Sequence, residues 1–425
     1  MRKGRITLLA FGSVGDVVPY LALANGLETA GHDVTFVSPR KFTNLARHHV
    51  SNFRPVDEDP QAVLSSPTGQ EWLASSYNLP KLIAATRKIM EHNLPRYAAH
   101  ALRESKGADV IVSTNLASLV AAHAAESVGA VHIPAYPMPV TPTAAIPSAM
   151  VPLPVSFGNR AANWLSHRLY YIACSLLMNS LANRLRREIF GLRATIAVEP
   201  FRSIRNQTVP MLYCYSSAVL PRPPKWKSCT CVSGYWFLPA IPEWKLPSGL
   251  DQFIDAGPPP VCISFGSMVD REPERTAEIV IESLRRAGCR GVIVSGWSGV
   301  KAVAPSDAIF VIDAVDHGLL FPRMAAIVHH GGAGGTAAAL RAGIPAVPVP
   351  FFADQFFWAK AIDRLGVSPA SVPRKDLSVD SLSKAITEAL GNHSYRERAR
   401  VVAEKLRTED GVGNAVRFIE QYLPA

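Results

Sequence analysis

The chain has 425 residues, 48% of them hydrophobic, 18% charged and 8% aromatic; that supports two cores of roughly 200 residues each and excludes a disordered, collagenous or coiled-coil protein. Six scattered cysteines are too few for a disulfide framework at this length, point to a reducing compartment, and show no zinc-site spacing, so no metal is expected. The net charge of +10 is concentrated between Arg160 and Lys227, where eleven Lys/Arg face only Glu188 and Glu199.

No zinc-finger, helix-turn-helix or aromatic-plus-basic pattern accompanies that basic stretch, which argues against nucleic acid. A solvated face or a patch toward anionic lipid remains. The N-terminal Met1-Arg-Lys-Gly-Arg5 imitates a signal peptide, but its apolar run stops at Gly12 after Ile6 to Phe11 and reads as a buried strand. The longest uncharged stretch, Ser127 to Asn159, holds seven prolines and does not read as a membrane span.

In chain order, the spacing predicts a strand over Ile6–Phe11, a helix over Pro19–Ala30 with Pro19 near its first turn, and a strand over Val34–Val37. A strand from Asp109, an Ala-rich helix over Leu116–Gly129 and a strand at Val131–Pro134 continue the alternation. The Pro-rich apolar segment Pro134–Phe157 interrupts it, followed by an apolar helix over Leu169–Asn183. Prolines recur from Pro221 to Pro260, where an interdomain linker is expected. The alternation then restarts: strand Val261–Phe265, helix Glu274–Ala287, strands from Gly291, Ile309 and Ala326, helix Thr336–Ala342, strand Ala346–Val349, and amphipathic helix over Leu382–Tyr422. This is an α/β chain of two Rossmann-like domains facing one another.

Two glycine turns carry the chemistry. His329-His330-Gly-Gly332-Ala-Gly334-Gly335-Thr336 follows a strand and opens a helix, so its backbone N–H groups form an anion site suited to a diphosphate. Tight packing alone is the other reading of such a turn. His330 is placed to donate to the same anion, and Thr336 to cap the helix or offer a hydroxyl. Asp354 and Gln355 follow the next strand, at the edge where open α/β sheets bind ligands, and suit adjacent sugar hydroxyls. In the first half, Gly12-Ser13-Val14-Gly15-Asp16 makes the equivalent turn with a carboxylate that serves either as a helix cap or as a general base. The absence of a Gly-x-Gly-x-x-Gly fingerprint and of an acidic residue after the second strand argues against a nicotinamide site.

The run from Val315-Asp-His317 through Pro322-Arg323 and the glycine turn to Gly343-Ile-Pro345 and Pro350-Phe-Phe-Ala-Asp354-Gln355-Phe-Phe-Trp358 closely resembles the donor signature of the sterol/lipid and antibiotic glycosyltransferases of the GT-B fold. Gly12-Ser-Val-Gly-Asp16-Val-Val-Pro19 and Val261-Cys-Ile-Ser-Phe-Gly-Ser267-Met extend the resemblance over nearly the whole chain. It implies an inverting, metal-independent transferase that moves a hexose, glucose foremost, from a UDP- or dTDP-sugar to an alcohol. It further implies Asp16 as catalytic base, His330 and the N–H groups of Gly332 to Thr336 on the diphosphate, and Ser267 as another phosphate contact. Trp297 and Val315 match positions that hold the nucleotide base, and Asp354 and Gln355 those that hold the sugar. Val14 stands where the family has Arg, and Gly335 where it has the first Thr of Gly-Ala-Gly-Thr-Thr.

A lipophilic acceptor (sterol-like, terpenoid, polyketide or lipid) is expected from the apolar Pro134–Phe157 segment, with Ser13, Pro137, Met138 and Trp358 as acceptor contacts. Expected boundaries are an acceptor domain over 1–220, a linker over 221–256, a donor domain over 257–405 and a helix over 406–425 that packs back on the first domain. A cytoplasmic protein touching the inner face of an anionic membrane through residues 160–227 completes the expectation. A noncatalytic GT-B-fold binding protein and a sugar-nucleotide epimerase are the alternatives.

Overall fold

The computed structural model describes residues 3–75, 79–151, 158–196, 198–241, 244–297 and 307–424. Residues 152–157 of the Pro-rich segment lie outside them. The chain divides into two compact units, Met1–Ser217 with Pro221–Pro239 and Asp410–Ala425, and Ala218–Leu220 with Ala240–Glu409.

The first unit is built on a seven-stranded parallel sheet of β1 (Arg5–Leu9), β2 (Asp33–Pro39), β3 (Phe53–Val56), β4 (Val110–Ser113), β5 (Val131–Tyr136), β6 (Met211–Tyr213) and β7 (Thr230–Val232), in the order β3-β2-β1-β4-β5-β6-β7. Buried on both faces, β1 after Arg5 and all of β4 are Ile, Leu and Val apart from buried Thr7 and Ser113, as suits central parallel strands. The labelled helices of this unit are α1 (Val14–Thr29), α2 (Leu79–Glu104), α3 (Ser118–Val128) and α4 (Arg160–Glu188). The second unit carries a five-stranded parallel sheet of β8 (Val261–Ser264), β9 (Gly291–Val294), β10 (Ile309–Ile312), β11 (Ala326–His329) and β12 (Ala346–Pro348), in the order β10-β9-β8-β11-β12. Its helices include α5 (Ala333–Ala342), α6 (Gln355–Leu365), α7 (Val379–Gly391) and α8 (His393–Arg407).

In each sheet the strand order reverses beside one central strand, between β1 and β4 and between β8 and β11. Ligands of open α/β sheets bind outside the carboxyl ends of the strands at such switch points. Both glycine turns occupy them: Phe11–Ser13 follows β1, and His330–Gly332 follows β11.

Several elements differ from their sequence expectation. Helix α1 starts five residues before Pro19, because Ser13 and Asp16 form a reciprocal capping box that nucleates it upstream. Helix α4 spans 29 residues rather than the 15 expected, started by the Asn159 side chain accepting from Ala162 N–H. The expected C-terminal helix is three: α7, α8 and α9 (Gly411–Glu420), with the Asn392 and Asp410 side chains capping the starts of α8 and α9. Val416 and Ile419 of α9 join the core of the first unit with Leu23 and Leu27 of α1.

Candidate functional site

The residues of the first turn organise around Asp16. Gly12 adopts φ +120°, open to glycine at little cost, and a Cβ there would come within 2.6 Å of Asp16 Oδ2. That leaves room for Ser13 to turn back, donating to Asp16 Oδ2 from both its N–H and its hydroxyl, each at 2.9 Å. Burial raises the Asp16 carboxyl above its ordinary value, and the two Ser13 hydrogen bonds pull against that rise. Ser13 is therefore the partner that orients Asp16, while Val14, the first residue of α1, stands exposed beside it.

A second carboxylate belongs to this neighbourhood and carried no motif. Glu58, just after β3, accepts from the Tyr97 hydroxyl, and the Tyr97 ring stacks on Phe11 at 4.3 Å. Burial pushes Glu58 up to about 7, the Asp16 charge adding to the rise and Arg96 opposing it. Only a run of three acids after a short strand, Asp57-Glu58-Asp59, marked it in the sequence.

The second unit brings the donor-turn residues together. Gly266 takes φ +60° after β8, and a Cβ on it would meet His330 Cε1 at 2.9 Å. A Cβ on Gly332 would stand 2.4 Å from His330 Nε2. The imidazole thus sits between two glycines, one from each side of the β8/β11 switch point. Burial lowers His330 to about 4, so the ring is neutral at pH 7 and offers one N–H. Its Nδ1 is buried with no hydrogen-bond partner among the described residues.

Gly332 caps α5, leaving the N–H groups of Ala333, Gly334 and Gly335 without intrahelical acceptors. Thr336 differs from its expectation: its N–H closes the first turn onto the Gly332 carbonyl at 3.0 Å, and its hydroxyl is wholly buried. Ser267 belongs to the β8 turn, and the loop after β9 is tied to that turn by Trp297 N–H donating to the Gly266 carbonyl at 3.1 Å. Val315 is half-buried after β10.

The Asp354–Gln355 pair splits. Asp354 is half-buried at the start of α6, preceded by Ala353 at φ +53°. Gln355 turns inward: its Oε1 accepts from the N–H groups of Phe351 (2.7 Å) and Phe352 (3.1 Å), and its Nε2 lies 3.2 Å from Met268 Sδ. Its amide thereby ties the β12 loop to the β8 turn. Among the acceptor candidates, Trp358 is fully buried on the inner face of α6, since a residue three beyond the helix start falls on the same side as Gln355. It presents nothing to an acceptor. Met138 is also buried, and Pro137 is half-buried after β5.

Two family models match the chain. Residues 6–147 match the glycosyltransferase family 28 N-terminal domain, and residues 293–413 match the C-terminal domain of erythromycin biosynthesis protein CIII-like proteins. Sterol 3-beta-glucosyltransferase UGT80B1 of Arabidopsis thaliana is 32% identical over 429 residues, covering 99% of this chain and 68% of that protein. The chain belongs to the sterol 3-beta-glucosyltransferase family. A family member from Cryptococcus neoformans is also 32% identical across 98% of the chain, which spans only 27% of that longer protein.

Among solved structures, the glycosyltransferase of kitacinnamycin superposes with a TM-score of 0.68 at 19% identity, covering all of both chains. The calicheamicin glycosyltransferase CalG4 gives 0.69 at 16%, over 99% of this chain and 98% of its own. At such identities the likeness is one of fold, the GT-B pairing of two parallel-sheet α/β units. Among the described residues, no helix is long and apolar enough to cross a membrane.

Proposed function

We propose that this family member transfers glucose, with inversion, from UDP-glucose or dTDP-glucose to the hydroxyl of a sterol-like lipophilic alcohol. The observation that carries the reading is the His330 ring held between Gly266 and Gly332 beside three free helix N–H groups. The positive end of α5 and a fixed neutral donor together favour a diphosphate, and favour it more as charge accumulates on departure.

The acceptor hydroxyl attacks the anomeric carbon as the bond from that carbon to the diphosphate oxygen breaks. Asp16 takes the hydroxyl proton as the new bond forms, since a carboxylate cannot ionise an alcohol in advance. Ser13 fixes the carboxylate, and Asp354 contacts the sugar. The donor N–H groups meet the leaving charge, so the proposed chemistry invokes no metal. Val14, exposed beside Asp16, suits an apolar acceptor better than a charged residue would. The names of the relatives add the sterol class. We place the reaction in the cytoplasm at a membrane surface, where such an acceptor resides.

Calorimetric titration with UDP and dTDP, repeated on His330→Ala, tests the donor half. Binding that weakens about 10-fold or more in the variant is the expected result; equal affinities, or no binding, would withdraw the reading in favour of a noncatalytic GT-B protein.

A further inference from the structure

Helix α4 is apolar on two sides. Asn163, His167, Tyr171, Met178 and Leu185 face inward and are buried. On the opposite side, at helical spacing, Trp164, Leu165, Leu169, Ile172 and Leu176 point to solvent, Leu176 with 80% of its surface exposed. A soluble helix normally places polar residues there.

The stripe continues beyond the helix. Asn183, on the same face, clamps the chain that follows α4: its Oδ1 accepts from Thr195 N–H at 2.8 Å and its Nδ2 donates to the Thr195 carbonyl at 2.9 Å. That brings Ile196, 98% exposed, to the end of the stripe.

Before Glu188, every charged residue of α4 is an arginine. Arg160 and Arg168 stand exposed at its start, the Arg168 guanidinium lying 5.0 Å over the Trp164 ring. Exposed Arg184, Arg187 and Arg193 stand near its far end, and none of the five makes an ion pair among the described residues.

We propose that the outward face of α4, with Ile196, docks the first unit onto an anionic lipid surface. Apolar side chains with an aromatic residue at one end and arginines at both suit the boundary between headgroups and acyl chains. A protein partner would need acidic groups around an apolar groove, whereas an anionic bilayer supplies both features everywhere. The proposal deepens the reading of a lipophilic acceptor, because a docked enzyme meets its acceptor where that acceptor dissolves.

Co-sedimentation with phosphatidylcholine vesicles, with and without phosphatidylglycerol, tests it on the full chain and on the double variant Leu169→Asp/Leu176→Asp. The wild type is expected to bind the phosphatidylglycerol vesicles, and the variant to bind them about tenfold less. No wild-type binding, equal binding to neutral vesicles, unchanged binding in the variant, or a wild-type dimer that the variant dissociates without any vesicle binding would each overturn it. Both substituted positions are exposed, so UDP affinity is expected to be unchanged in the variant. A docking failure with intact UDP binding leaves the transferase reading standing, and lost UDP binding in the wild type fails that reading alone.

Discussion

At residue scale the proposed chemistry turns on Asp16, whose half-buried carboxylate has two Ser13 donors and is raised by desolvation. Asp16→Asn keeps the shape and an acceptor oxygen but removes the base, so kcat should fall by roughly 10²–10⁴-fold with UDP affinity unchanged; a matching loss of UDP binding would mean that the residue supports the fold instead. Because burial raises this carboxyl, activity should decline on acidification at a pH above the ordinary carboxylate range, as the base takes up its proton. Ala353 supplies a stability test. Its φ of +53° strains an L-residue, so Ala353→Gly should raise the thermal midpoint, with a gain of roughly 0.5–1 kcal/mol. A lower midpoint would show that the flanking loop absorbs no strain.

The sequence named Asp16, His330 and the α5 glycines because strand-to-helix turns impose glycine and a cap at fixed offsets. It could not distinguish the inward from the outward side of a short polar residue. Gln355 therefore read as a sugar ligand, although its amide ties the Phe351–Phe352 loop to Met268. Thr336 read as a helix cap or a hydroxyl contact, although Gly332 is the cap and Thr336 is buried in the first turn of α5.

At element scale the donor site is an arrangement of three loop ends: the β8 turn, the β11 turn and the start of α6. Gly332 tests whether their close approach matters. Its φ of −66° accommodates any L-residue, so Gly332→Ala brings no backbone strain and only forces the His330 ring aside. UDP affinity should drop by about tenfold while the unfolding midpoint stays near that of the wild type. Retained affinity would mean that the position of the ring is not what binds.

Elements were legible where hydrophobic period and punctuation agreed, as at β1, β8, β11 and α3 with its left-handed Gly129 cap. They were illegible where they did not. Strands β6 and β7 are three residues long, too short for a period to register, and β3 carries Pro55 and exposed Arg54 in place of an apolar run. The arginines that bracket the apolar centre of α4 hid its true length, and only the structure shows that Trp164, Leu165, Leu169, Ile172 and Leu176 face outward.

At the scale of the whole molecule, the histidines set the acid limit. Burial lowers His123, His167, His317 and His330 to about 4, and His132 and His329 to about 3. Unfolded, the same rings take up protons near pH 6.5. Between those limits the unfolded chain binds more protons, so stability is full above about pH 6.5 and falls toward pH 4, each ring contributing up to about 1.4 kcal/mol per pH unit. Urea midpoints across this range should drop steeply; a flat profile would show that these rings are hydrated in the native state. The alternation of strands and helices announced two α/β units, whereas the strand order that makes each switch point, and the burial of these rings, depended on packing between elements distant in the chain.

Inverting glucosyl transfer to a sterol is tested by incubating the purified chain with UDP-glucose and a detergent-dispersed 3-hydroxysterol and reading the products by mass and by the proton coupling at the new anomeric carbon. UDP and a sterol β-glucoside are the expected products, both lost in Asp16→Asn. An α-linked product, or UDP binding without any sterol glucoside, would contradict it.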